Sequence, residues 1–194
     1  MPDPDYTAFP LEGAESLFLA SGSSINRVFT LTTEFNVYAR VRWPDVFTQF
    51  SSMFQWWTPG FGGQVASVAT EFADRLAITH GSAAATAVIP TITPDTTYHI
   101  WVEWSRNTGA GDGTMRLYIS EDHNKPAAPQ ASLSTGSGMD PAVLVVGPYA
   151  GGSGMIIDTL MVSDEPIGSN PAGANSPPTI TARRFSCRTR NSTR

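Results

Sequence analysis

Residues 98–120 read YHIWVEWSRNTGAGDGTMRLYIS. Tyr98, Ile100, Val102 and Trp104 alternate with His99, Trp101, Glu103 and Ser105. A period of two places one set on each face of a strand, so one face is apolar and the other mixed. Met115, Leu117 and Ile119 alternate in the same way with Thr114, Arg116, Tyr118 and Ser120. Between the two runs, Asn107–Gly113 carries three glycines, an Asn and an Asp, residue types that tolerate the positive φ of tight turns. The stretch is expected to form a hairpin of two long strands. Such a hairpin is marginal in water by itself, so the rest of the chain must supply the strands that cover its apolar face.

Working outward, the same alternation recurs at 35–43, where Phe35, Val37, Ala39, Val41 and Trp43 alternate with Asn36, Tyr38, Arg40 and Arg42. That predicts a half-buried strand, broken by Pro44. Shorter β-prone runs are expected at 17–20, 27–32, 53–57, 64–70, 75–80, 83–89, 131–133, 142–147 and 155–162, with Gly, Pro or Asn turns between them. Residues 66–78 also carry a helical spacing at Val68, Phe72 and Leu76, and strand–turn–strand is the favoured reading there. Ten to twelve short strands without an amphipathic helix argue for an all-β sandwich of two antiparallel sheets. Prolines at 2, 4 and 10 make residues 1–16 an extended arm. The expected domain is 17–167, and 168–194 reads as a Pro/Gly-rich linker with a basic tail.

Composition narrows the function. The 194 residues carry a net charge of −5, yet Arg183, Arg184, Arg188, Arg190 and Arg194 crowd the last dozen positions. Without them seven basic residues face seventeen acidic ones, so the body is a poor surface for nucleic acid. One cysteine, Cys187, permits no disulfide within the chain, and a spare thiol in a basic tail is favoured over a nucleophile. No apolar run approaches the ~20 residues that span a bilayer, which argues against a membrane partner. The acidic, proline-rich start does not resemble a secretory signal. The expectation is a protein used without Sec export, or one whose signal has been removed. His80, His99 and His123 are scattered without zinc-ligand spacing.

The order YHIWVEWS, TMRLYIS, a strand ending in VVG, and MIIDTLMVSDEPI is similar to the C-terminal half of concanavalin A-like jelly rolls of the laminin G and pentraxin-like type. The resemblance covers roughly 15–167 and is clearest over 97–165. It implies a two-sheet jelly roll, and it specifies fold far better than function. The glycosidases of that superfamily carry E-x-D-x-x-E on one strand, with alternate carboxylates facing one cleft. Here the acidic clusters are Glu71/Asp74, Glu121/Asp122 and Asp164/Glu165, none with that spacing, and the strand motifs of the related alginate lyases are missing too. The chain is therefore expected not to be an enzyme. The family often binds Ca²⁺, which points to Asp112 with Asp158 or Glu121/Asp122 as metal ligands. The plainer reading, favoured here, makes Asp112 a turn cap and Asp158 a hydrogen-bonded structural residue.

Trp56, Trp57 and Phe61, in QWWTPGF, are the candidate contact for a glycan or a partner. Aromatic faces stack on the apolar C–H faces of sugars. Successive residues of a strand point to opposite sides, so one of Trp56 and Trp57 belongs to the core, and the same holds for Trp101 and Trp104. In the tail, Arg183, Arg184, Phe185, Arg188 and Arg190 could order against an acidic surface, including a second copy of this chain. The function expected is a non-enzymatic structural or attachment module. The leading form is a virion surface component, such as a bacteriophage capsid decoration or tail-associated protein, that self-associates or docks on a major capsid or tail protein. The alternative is an extracellular carbohydrate-binding module using the rim aromatics. No cofactor is expected apart from the Ca²⁺ considered above.

Overall fold

The computed structural model describes residues 17–28, 34–47, 50–71, 74–87, 90–136, 141–148, 154–163 and 166–169. The expected arm at 1–16 and the tail residues Arg183, Arg184, Phe185, Arg188 and Arg190 lie outside the described residues. Twelve strands are found among the described residues: β1 (Leu17–Leu19), β2 (Ile25–Val28), β3 (Glu34–Arg42), β4 (Ser51–Trp57), β5 (Gln64–Glu71), β6 (Arg75–His80), β7 (Ala83–Thr86), β8 (Thr97–Ser105), β9 (Thr114–Ser120), β10 (Ala131–Ser134), β11 (Val143–Val146) and β12 (Met155–Ser163). A single 3₁₀ turn, Pro59–Phe61, follows β4. The stretch with helical spacing forms β5 and β6, so the alternating pattern prevails there.

The strands make two six-stranded antiparallel sheets. Sheet A has the order β1-β12-β3-β8-β9-β10 and sheet B the order β2-β11-β4-β5-β6-β7. The hairpin read from residues 98–120 is β8–β9, paired from His99↔Ser120 to Trp104↔Met115. Alternation decides which side chains meet between the sheets. Tyr98, Ile100, Val102 and Trp104 of β8, Met115, Leu117 and Ile119 of β9, and Phe35, Val37, Ala39 and Val41 of β3 all enter one buried cluster. Phe54 and Trp56 of β4, Val68 of β5, Leu76 and Ile78 of β6 and Leu144 and Val146 of β11 face them from sheet B. Phe35 stands between Trp56 and Trp104, with ring centroids 5.1 and 4.9 Å away. Burying these large side chains is the main stabilising term, at roughly 25 cal/mol per Å² of apolar surface removed from water.

A second, smaller cluster lies on the outer face of sheet A. Tyr38, Trp101 and Tyr118 share one row across β3, β8 and β9, and Ile167 covers them with Met161 packed alongside. The two tryptophans of β8 thus part as alternation requires: Trp104 enters the inter-sheet core, and Trp101 lies under the segment that follows β12.

Candidate functional site

Trp57 closes β4, and its neighbour Trp56 is fully buried at 0% exposure. Trp56 is therefore removed from the candidate contact: its ring is core, packed on Phe35 and Phe54. Trp57 points the other way, onto the outer face of sheet B. There its row continues to Val143 of β11, which is buried, and then to Val28 of β2, which is 68% exposed. The Trp57 indole N–H donates to Gln55 Oε1 at 3.2 Å. Gln55 lies two residues back on the same face and is itself buried, so this bond fixes the indole's orientation.

The chain then turns through Thr58–Gly63. The Phe61 N–H donates to the Thr58 carbonyl at 3.1 Å and the Thr58 N–H to the Gly63 carbonyl at 2.9 Å. Gly60 has φ +67° and Phe61 φ +61°. Positive φ is ordinary for glycine but costs free energy for a bulky residue. The turn holds Phe61 48% exposed, with its ring 6.1 Å from that of Trp57 at an interplanar angle of 56°. Both backbone ends of this small aromatic wedge are fixed. Of the expected trio, Trp57 and Phe61 come together at the surface.

The expected Ca²⁺ ligands do not come together. Asp112 accepts from the Thr108 N–H at 2.9 Å and from the Thr108 hydroxyl at 2.8 Å, in the β8–β9 loop. Those two bonds hold its carboxyl below the usual range. Asp158 sits at a bulge in β12 beside Arg40 and ion-pairs with it, both side chains being largely buried. Arg40 pairs with His99 and Ser120 lies beyond, at the end of the hairpin opposite its loop. Six residues of β8 separate the two aspartates' levels, roughly 20 Å at strand rise. Among the described residues no group of three or more His, Cys, Asp or Glu side chains is placed to hold a metal ion. Glu121 and Asp122 line a shallow depression of about 420 Å³ with Pro90, Ile119, Ser120 and Gln130. Asp122 is used in shaping that loop: it accepts from the Asn124 N–H at 2.8 Å and the Ser120 hydroxyl at 2.9 Å, which lowers its pKa.

A polar network on the outer face of sheet A was not foreseen. The Tyr38 hydroxyl lies 2.8 Å from His99 Nδ1, and the His123 ring meets His99 edge-on at 5.4 Å. Glu103 ion-pairs with Lys125 and accepts from the Tyr118 hydroxyl at 3.0 Å, while the Lys125 ammonium sits 4.4 Å from the centre of the Tyr118 ring. Burial, together with the bond to Glu103, pushes the Tyr118 phenol pKa up. Trp101 Nε1 donates to the Gly168 carbonyl at 3.1 Å, and the Lys125 N–H to the Ser169 hydroxyl at 2.9 Å. The network ties the 121–130 loop and residues 167–169 onto sheet A. Its signal in the sequence is the polar half of the alternation in β3 and β8, which carries no catalytic spacing.

No protein-family model matches the chain, and no curated protein matches it. Solved structures do. A heptameric SAP-like pentraxin from Limulus polyphemus is 18% identical over 76% of this chain and 75% of its own, with a TM-score of 0.53. The fold is a concanavalin A-like jelly roll. The Trypanosoma rangeli sialidase, solved with the inhibitor DANA, shares it at 12% identity and a TM-score of 0.60 over 86% of this chain. The match spans only 28% of the sialidase. The metal-free carbohydrate recognition domain of Emp46p is 7% identical, covers 78% of this chain and 83% of that one, and has a TM-score of 0.51. At these identities the likeness concerns the fold. The jelly roll positions Trp57 and Phe61 at the end of a β-strand on one outer face, and the Tyr38–His99 and Glu103–Lys125 groups on the other.

Proposed function

We propose that this chain is a non-enzymatic attachment module that holds glycans through the Trp57–Phe61 wedge. The observation that carries the reading is the exceptional position of Trp57. Of the five tryptophans, Trp43, Trp56, Trp101 and Trp104 are fully buried and Trp57 alone reaches the surface, held by Gln55 and paired with an exposed Phe61. A preorganised aromatic surface binds with little ordering cost. The wider family of folds supports the reading, because neighbours named above include a sialidase and a carbohydrate recognition domain. A binding role is also favoured over hydrolysis by the two carboxylates on the outer face of sheet A. Glu103 is held by Lys125 and Tyr118, and Asp158 by Arg40, whereas glycosidic cleavage uses a facing carboxyl pair free to exchange protons. In its more specific form the proposal places the module on a virion surface, as a capsid decoration or tail-associated protein, with the basic tail docking on an acidic neighbour or a second copy. The acidic body and Arg-rich end support that form. Affinity electrophoresis in gels containing polysaccharide tests the glycan reading: the full chain should be retarded, and Trp57→Ala should migrate as in an empty gel while keeping its thermal transition. Equal retardation of both proteins would overturn it.

A further inference from the structure

We propose that residues 11–16 dock along the open edge of β12 and close sheet A there. The observation behind the proposal is a mismatch of strand lengths. β12 has nine residues, Met155–Ser163, whereas β1 has three and meets only Met155, Ile156 and Ile157. From Thr159 to Val162 the strand pairs with β3 on one side, and among the described residues no strand pairs with it on the other. The core records the difference. Beside β1, Met155, Ile156 and Ile157 are buried. Beyond β1, Leu160 packs against the core half-buried and Val162 is 38% exposed. Val162 ends a row through Val37, Val102, Leu117 and Ala131, and those four are all buried. An uncharged, largely apolar edge of this kind is a template for any extended chain that can pair with its backbone.

Chain direction names the occupant. β1 and β12 are antiparallel, with Leu17 opposite Ile157 and Leu19 opposite Met155. Moving back along the chain from Leu17 therefore advances along β12 from Ile157 toward Ser163. Residues 11–16 match the length of 158–163, about 20 Å at strand rise, and need no loop to reach it. A segment tethered at the edge outcompetes a strand from another molecule through its effective concentration. Pro10 sets the limit, because it has no N–H to give to a ladder. Leu11 then arrives at the end of β12 where Val162 is uncovered. Charge agrees with this placement. The first sixteen residues carry Asp3, Asp5, Glu12 and Glu15 and no Lys or Arg, while Arg40 and Arg42 of β3 stand opposite Thr159 and Ile156 of β12. The strap leaves the Trp57–Phe61 wedge on sheet B open and keeps two copies from joining edge to edge.

Cysteine pairs test the proposal in the full chain, with Cys187→Ser as the background. Val162→Cys is combined in turn with Leu11→Cys, Glu12→Cys and Gly13→Cys, and each protein is oxidised at low concentration. At least one pair should close a disulfide within a single chain about tenfold faster than Val162→Cys combined with Asp3→Cys, read on non-reducing gels. Equal rates for all four pairs, or cross-links formed only between two chains, would overturn the proposal, the second result in favour of arms exchanged between copies. Amide exchange gives a second readout that needs no cysteine. Ala14→Pro with Glu15→Pro removes two successive N–H groups of the arm. Exchange over residues 158–163 should then rise about tenfold, with the β8–β9 hairpin unchanged. Unchanged exchange over 158–163 would show that the edge is not covered by this segment and would overturn the proposal.

Discussion

Phe61 occupies a backbone conformation that suits glycine, and its ring is half exposed. If its role were packing, replacement by glycine would cost stability. If its role is contact, Phe61→Gly relieves a left-handed strain of about 1–2 kcal/mol. That gain offsets the ~0.5–1 kcal/mol that glycine's added chain freedom costs. The variant should then melt no lower than the parent while losing glycan retention, as differential scanning calorimetry beside gel retardation will show. The paired tryptophans give the opposite contrast. Trp56→Ala empties a site with no exposure and should cost about 3–5 kcal/mol, whereas Trp57→Ala should cost far less and remove binding. That one of the two is core was legible from alternation alone. Which one it is was not, because the choice depends on the register of β4 against β11, a tertiary fact. Asp112 and Asp158 illustrate the same limit: their residue types fit Ca²⁺, but only the fold places them at opposite ends of the hairpin.

At the scale of elements, the β8–β9 hairpin was legible because both of its strands carry an unbroken period of two, as does β3 beside it. Their polar faces were harder to read. Asn36, Tyr38, Arg40 and Arg42 look like a solvated face in sequence, yet Tyr38 is buried, because Ile167 and the 121–130 loop cover that side. Partners distant in the chain are invisible to local pattern. The Glu103–Lys125–Tyr118 group should behave as a clamp. Glu103→Gln removes the ion pair and should loosen the 121–130 loop by about 1–2 kcal/mol, seen as faster amide exchange there. The Tyr118 phenol should at the same time titrate closer to an ordinary tyrosine, read as a difference spectrum against Tyr118→Phe. Because the folded pKa of Tyr118 is raised, its contribution to stability is present below its unfolded value near 10 and is lost as pH rises through the folded value.

β6 ends at His80, whose Nδ1 accepts from the Gly136 N–H at 3.1 Å, leaving the proton of the neutral ring on Nε2. Burial lowers the His80 pKa. With the folded value below the unfolded 6.5, its contribution is present above 6.5 and lost as pH falls through the lowered folded value. His80→Gln should therefore flatten the loss of melting temperature between pH 7 and pH 5. His99 and His123 are common to both proteins, so the difference belongs to His80.

At the scale of the molecule, the two outer faces carry different features. Sheet B presents the Trp57–Phe61 wedge. Sheet A carries residues 167–169 as they leave β12, anchored by Trp101 and Lys125. Light scattering on the full chain and on residues 1–169 tests whether the basic end assembles copies: a discrete multimer for the full chain and a monomer for the truncation is the expected pair of masses. Cutting before Ile167 instead should expose Tyr38 and Trp101 and lower the melting temperature.

The central claim is that Trp57 touches glycan. Its most direct test follows the five indole N–H resonances of the ¹⁵N-labelled full chain during titration with cello-, manno-, malto-, xylo- and alginate oligosaccharides. One resonance, the one missing from Trp57→Phe, should move with at least one of these ligands while the four from Trp43, Trp56, Trp101 and Trp104 stay in place. Movement of a buried indole with Trp57 unmoved, or no movement with any of these ligands at saturating concentration, would contradict the account.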